Sequence, residues 1–171
     1  MRFVTLLCIS FMLILSAHAQ YNNDASTITG RAAVLEGDTI EINNQKIRLH
    51  GIDAPQHRQT CHDRRGLLYR CGLKSKTALD LFLWRNEITC RILSTDKYGR
   101  KLANCSLGQV DVADWLVRQG HALAFKKYSY VYINAENEAK KAKRGLWAGK
   151  FRMPWEWRDQ RRYGGDSEYA R

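Results

Sequence analysis

The chain has 171 residues, of which 28 are Lys or Arg and 17 Asp or Glu, giving a formal charge of +11. That is the size of one domain with a substantial core, and too short for two full-sized enzyme domains. Its 12 Gly and 2 Pro, with no low-complexity run and no repeat, exclude collagen-like, Pro-rich disordered and solenoid chains.

Residues 1–19 read as a secretory signal peptide. Arg2 supplies the positive start, Phe3 to Leu15 are apolar, and Ala17-His18-Ala19 fits a small-x-small cleavage site ahead of Gln20. The apolar run of about 13 residues falls short of the ~20 that span a bilayer, and no later stretch is apolar enough. Cys8 lies inside that run, away from the cleavage site, so it is not a lipidation cysteine. The expectation is an exported soluble protein, periplasmic or secreted, with no membrane attachment after cleavage and a linker at residues 20–27. Cleavage removes only one charged residue, Arg2, so the mature chain stays strongly basic. That charge calls for a polyanionic partner, whether nucleic acid, an acidic polysaccharide or a membrane surface.

Residues 28–52 alternate as half-buried strands, with Ile40, Ile42, Ile47 and Leu49 on one side and Thr39, Glu41, Arg48 and His50 on the other. Turns fall at Glu36-Gly37-Asp38 and Asn43-Asn44-Gln45. A helix is expected over Leu73 to Trp84, with Leu73, Thr77, Leu81 and Trp84 on one face and Ala78 and Phe82 beside them. Residues 88–94 and 101–107 form a second strand pair. Val112, Trp115 and Leu116 mark a helix stopped by Gly120. A third helix, Tyr132 to Arg144, carries Glu136 and Glu138 early and Lys140, Lys141, Lys143 and Arg144 late, before Gly145. The basic cluster is therefore read as a solvated helix end. From Phe151, a tail containing Pro154-Trp155-Glu156-Trp157 is expected to pack its tryptophans on the domain and to be disordered beyond Arg158. Five strands with interleaved helices suggest an α+β fold, a small OB-type β-barrel with three α-helices.

Of five cysteines, Cys61, Cys71, Cys90 and Cys105 lie beyond the signal. An even count in an exported chain implies two disulfides, with several connectivities open. Sequence order pairs Cys61 with Cys71 and Cys90 with Cys105, the latter pair bracketing the turn-like Asp96-Lys97-Tyr98-Gly99. A zinc site built from Cys61, His62 and Cys71 lacks any C-x-x-C pair.

Four segments carry chemistry: Glu36-Gly37-Asp38-Thr39, Ile47 through Gln56, Asp96 through Arg100, and Tyr128-Ser129-Tyr130-Val131-Tyr132. Asp38 and Asp53, from different loops, are candidates to converge on one hard cation. Arg48 and Arg100 have the planar fork that grips phosphate oxygens, and a cation facing two guanidiniums would stabilise charge on an attacked phosphodiester. Aromatic rings stack on bases without demanding a sequence. Each signal alone has a plain structural alternative, since an Asp in a Gly turn is usually a turn residue.

Together, Glu-Gly-Asp-Thr, Arg-Leu-x-Gly-Ile-Asp-Ala-Pro and Asp-Lys-Tyr-Gly-Arg resemble the staphylococcal nuclease (thermonuclease) family. The similarity runs through Trp115-Leu116-Val117-Arg118-Gln119-Gly120 to Gly145-Leu146-Trp147, over roughly residues 28–148. The resemblance implies an OB-type barrel with three helices, cleaving DNA and RNA with calcium. It implies that Asp38 and Asp53 hold calcium with the Ala54 carbonyl assisting. It also implies that Arg48 and Arg100 grip the scissile phosphate, with Tyr128, Lys97 and Tyr98 on the substrate. Two positions depart from the pattern. Glu36 replaces the usual Asp and keeps its charge. Gln56 stands where the family has the Glu that acts as general base or orients water. An amide orients water but does not take its proton at neutral pH, so a slower reaction is expected unless Glu36 or Glu41 compensates.

The leading reading is an exported, monomeric, calcium-dependent nuclease of low sequence specificity. The alternative is a non-catalytic OB-type module that binds nucleic acid or another polyanion. The retention of Asp38, Asp53, Arg48 and Arg100 together separates the two, since a pure binder has no need of the full set.

Overall fold

The computed structural model describes residues 26–163. The expected signal peptide, most of the linker and the last eight residues lie outside that range.

The chain begins with β1 (Thr27–Arg31) and β2 (Ala33–Glu36), nearly continuous across Ala32. They are followed by β3 (Thr39–Ile42), β4 (Gln45–Leu49), β5 (Ile52–Asp53), β6 (Cys61–His62), β7 (Leu68–Tyr69) and helix α1 (Cys71–Leu83). Next come β8 (Glu87–Thr95), β9 (Lys101–Leu107), β10 (Val110–Asp111), α2 (Val112–Arg118) and β11 (Leu123–Ala124). The last elements are α3 (Ile133–Lys141), a 3-10 turn at Gly145–Ala148 and α4 (Pro154–Tyr163).

The main sheet runs β1-β8-β9-β4-β3-β2. Its two edges are therefore the two halves of one bent strand, and β1 also lies against β3. The sheet curls into the OB-type barrel, with five long strands if the bent one is counted once. All pairings along this path are antiparallel except β4 with β9, which sets Arg48 beside Leu102. Alternation does its expected work: Ile40, Ile42, Ile47, Leu49, Ile88 and Ala103 are buried and fill the barrel. Cys90 stands opposite Cys105 across the β8–β9 ladder and is bonded to it. Cys61 is bonded to Cys71, joining β6 to the start of α1. Both sulfurs of the zinc alternative are thereby consumed.

The helix α1 turns a different face inward from the one the sequence suggested. Leu81 and Trp84 are 60% and 66% exposed, and Leu73 is exposed as well. Buried instead are Cys71, Ser75, Leu79 and Leu83, an i, i+4 row. The rotation is fixed at its first turn, where the disulfide holds Cys71, and by Ser75, whose hydroxyl donates to the His121 carbonyl at 2.7 Å. Apolarity alone cannot find a face built on a cystine and a serine. Phe82, at the border of that face, stacks on Trp115 of α2 with centroids 4.0 Å apart.

The helix α2 is capped by Asp111, whose carboxylate accepts from the amides of Ala113 and Asp114. It ends at Gly120, where φ is +72° and the amides of Gly120 and His121 return to the carbonyls of Val117 and Leu116. A Cβ there would also lie 2.2 Å from the Arg144 carbonyl, so the position excludes any other residue. The helix α3 stops earlier than expected. Lys143, at φ +50°, takes the left-handed position, and the amides of Lys143 and Arg144 return to Lys140 and Ala139. Glu136 proves to be a buried group rather than only a dipole partner: it accepts from the Ala124 amide and from Lys140.

The expected disorder beyond Arg158 is corrected as far as Tyr163, where α4 ends, and the rest of that expectation lies outside the described residues. The expectation of three α-helices is corrected with it, to four among the described residues. Pro154 opens α4 and Glu156 lies in its first turn, both start signals for a helix. Trp155 joins a second apolar cluster with Cys61, Cys71, Leu123, Leu146, Phe151 and Met153. No helix among the described residues is long and apolar enough to cross a membrane.

Candidate active site

Asp38 follows the Gly37 turn between β2 and β3, and Asp53 ends the short β5, which pairs with β11. The turn is drawn tight against α1: a Cβ on Gly37 would lie 2.1 Å from the Ser75 hydroxyl. Arg48 is Thr39's partner in the β3–β4 register, so its side chain rises beside Asp38.

One guanidinium bridges the two carboxylates. Arg48 donates from Nη1 to Asp38 Oδ1 at 2.9 Å and from Nη2 to Asp53 Oδ1 at 2.8 Å. Asp38 Oδ1 also accepts from the Thr39 hydroxyl at 2.9 Å, and Oδ2 accepts from the Ala54 amide at 2.8 Å. Asp38 is 1% exposed and Asp53 fully buried. A second guanidinium closes over Asp53. Arg158 of α4 donates from Nη1 to Oδ1 and from Nη2 to Oδ2, each at 2.7 Å.

Burial pushes the Asp53 carboxyl up from the ordinary value, with the negative charge of Asp38 adding to it and Arg158 and Arg48 opposing. Burial disfavours charge on Arg48, but Asp38 and Asp53 outweigh it and hold its pKa above the usual value. Two buried carboxylates spanned by a single guanidinium, beside a backbone carbonyl, form the all-oxygen donor set of a hard cation. On that chemistry Asp38, Asp53 and Ala54 fit a hard divalent cation. Among the described residues there is no group of three or more His, Cys, Asp and Glu side chains arranged for a metal, so carbonyl and water oxygens would complete such a shell.

Gln56 adjoins this cluster: its side-chain amide donates to the Ala54 carbonyl at 3.4 Å and its backbone amide to Gln59 Oε1 at 3.1 Å. Gln59, fully buried, donates in turn to the Arg152 carbonyl at 2.7 Å. The loop is thereby tied to the segment that leads into α4.

Arg100 is held by Asp96, the carboxylate of its own segment. Its Nε donates to Asp96 Oδ2 at 2.7 Å, and Asp96 Oδ1 accepts from the amides of Tyr98 and Arg100. The Asp-Lys-Tyr-Gly-Arg segment is thus a self-braced hairpin turn joining β8 to β9. Lys97 and Arg100 flank the ring of Tyr98, which is 67% exposed. A groove lined by Lys46, Tyr98, Arg100 and Lys101 lies along this arm. Tyr128 is 64% exposed and sits edge-on to Phe125, whose other neighbour is Trp155 of α4. Tyr132, from the same tyrosine-rich stretch, is buried and donates to Asp111.

Two residues escaped the sequence reading. Gln59 shows no local signal. Arg158 lies 105 residues from Asp53, and its only hint was the helix start at Pro154.

Comparison with known proteins adds the family. The profile described as Staphylococcal nuclease homologue matches residues 46–149. The chain is 39% identical to the succinoglycan biosynthesis protein ExoI of Rhizobium meliloti, over 72% of this chain and 66% of that one. It is 32% identical to an uncharacterized endonuclease of Escherichia coli O157:H7, over 78% of this chain and 87% of that one. A probable staphylococcal-like nuclease of rice, CAN2, is 31% identical over 72% of this chain and 32% of its own length. The chain thus spans just under two thirds of the first of these relatives and about a third of the rice protein. Over most of the folded barrel, including β4, which carries Arg48, and β5, which carries Asp53, the chain belongs to the staphylococcal nuclease homologue family.

Proposed function

We propose that the protein is an exported, monomeric nuclease that uses calcium to hydrolyse phosphodiester bonds in DNA and RNA with little sequence preference. The observation that carries this reading is the Arg48 guanidinium bridging two buried carboxylates from different loops. Such an arrangement is costly for a barrel that only binds, since an anion-binding surface has no use for buried negative charge. The two disulfides support an oxidising compartment, and the basic surface supports a polyanionic substrate.

Calcium held by Asp38, Asp53 and the Ala54 carbonyl would supply positive charge against the phosphate oxygens. Arg48, adjoining the same carboxylates, would grip the phosphate beside it. Arg100 would close on the phosphate from the hairpin arm, using its Nη pair because Asp96 holds Nε. Tyr98 and Tyr128, both exposed, would stack on bases without reading them. Gln56 would hold the attacking water by hydrogen bonds and leave its proton to solvent, so turnover would be slow.

Gln56 also favours the second reading, a barrel that binds nucleic acid without cutting. The test is cleavage of single-stranded DNA by the mature chain with calcium and with a chelator, alongside Asp53→Asn. Calcium-dependent cleavage lost in Asp53→Asn supports the nuclease; DNA binding without cleavage in every case supports the binder.

A further inference from the structure

We infer that α4 is a latch on the catalytic cluster, with Arg158 occupying the cation's place on Asp53 until a divalent cation displaces it. The inference rests on the metal site proposed above. It starts from charge. Asp38 and Asp53 carry two negative charges in a place closed to water, and Arg48 and Arg158 balance them. A divalent cation entering that balanced set would leave two uncompensated positive charges, so a guanidinium must withdraw.

Geometry decides which one. Arg48 is anchored in β4 inside the barrel wall and holds Asp38 as well as Asp53, with its side chain 15% exposed. Arg158 holds Asp53 alone, comes from the last helix, and is 31% exposed. It also spans both Asp53 oxygens, at 2.7 Å each, and shares Oδ1 with Arg48, so a cation bound to Asp53 would stand against the Arg158 guanidinium. The helix has its own seat apart from that ion pair. Trp155 stacks on Phe125 with centroids 5.4 Å apart, and the Arg152 carbonyl accepts from Gln59. Withdrawal of Arg158 therefore needs no unfolding of the barrel. Phe125 also borders Tyr128, so a shift of α4 reaches the surface expected to receive the nucleotide.

Two ligands that exclude each other at one carboxylate are linked reciprocally: removing Arg158 must tighten the cation, and adding the cation must loosen α4. Calorimetric titration of the mature chain with calcium alone is the test, comparing the native chain with Arg158→Ala, and with Asp53→Asn as the control lacking the site. Arg158→Ala should bind calcium about 10–100-fold more tightly. In the native chain, calcium should raise hydrogen exchange at residues 154–160 while leaving β3 and β4 unchanged. Should Arg158→Ala fold poorly, Arg158→Gln and the exchange measurement on the native chain carry the test. Equal affinities with unchanged exchange would overturn the latch and leave the cation site standing. Weaker binding in Arg158→Ala would make Arg158 a support of the site and overturn the latch as well. Absence of calcium binding in both chains would overturn the metal site and the latch together.

Discussion

Arg48 stands in the barrel wall with its guanidinium across two buried carboxylates, whereas Arg100 stands on a hairpin turn and leans on a carboxylate four residues away. The first is held by tertiary structure: its partners come from loops at either side, and Asp38 is itself pinned by Thr39 and Ala54. The second is held by turn chemistry that the five-residue segment supplies to itself. Two side chains expected on one phosphate thus have different foundations. One is tied to the stability of the fold; the other can be altered with little effect on it.

The sharpest test of this contrast separates activity from stability. Arg48→Lys and Arg100→Lys should each lower cleavage by about 10³-fold or more, because a lysine loses the two-pronged grip on phosphoryl oxygens. Truncation to alanine should then divide them. Arg48→Ala should cost about 3–5 kcal/mol of unfolding free energy by leaving buried carboxylates short of charge, and Arg100→Ala less than about 1 kcal/mol. Equal losses in a denaturant titration would erase the distinction.

Next in size is Gln56→Glu, on the loop beside the Arg48 cluster. With calcium and saturating DNA it should raise turnover by about 10²–10⁴-fold, with binding nearly unchanged. An unaltered slow rate, or a native rate already high, would remove Gln56 as the limiting group.

The two disulfides extend the comparison to covalent bonds. Loops of this length are each worth roughly 3 kcal/mol in the chain-entropy account, so paired Cys→Ser variants at Cys61/Cys71 and at Cys90/Cys105 should lose similar stability. Only the first should also slow cleavage. Cys71 precedes Gly72, whose amide donates to the Gln59 carbonyl at 3.3 Å, and Gln59 braces the Gln56 loop. Thermal melts and cleavage rates measured on the same preparations would decide it.

The smallest expected effect is a pH dependence of stability. Burial, with Lys74 nearby, lowers the His121 pKa from 6.5 to about 4. The unfolded chain therefore binds a proton at His121 through that window and the folded chain does not, so stability falls as pH drops from 6.5 toward 4. The loss at the lower end is up to about 3 kcal/mol. His121→Gln should flatten that part of the melting-temperature profile; an unchanged slope would assign it to other groups.

The same contrast explains what could be read from the sequence. Contacts made within a few residues are written in the segment that makes them: the Asp96 turn and the Gly120 stop were both visible as patterns. The barrel was legible because its strands alternate cleanly from Ile40 to Leu49. The inward face of α1 was not, because a cystine and Ser75 outweigh Leu81 and Trp84 in setting its rotation. Arg158 was invisible for a related reason. It sits in a hydrophilic segment with no apolar period, and its partner lies 105 residues away.

The bent strand β1–β2 has a consequence for the order in which the chain acquires its fold. The β8–β9 ladder is a local hairpin, and Cys90 faces Cys105 as soon as it forms, so an oxidant can seal it early. Closing the barrel waits on a longer search, since Thr27 must find Arg91 and Gly30 must find Ile88 across roughly 60 residues of chain. Until then β8 presents an unpaired edge with free amides and carbonyls. A newly made chain would pass through a sealed but open sheet, and that interval is when it is most exposed to pairing with a neighbouring copy.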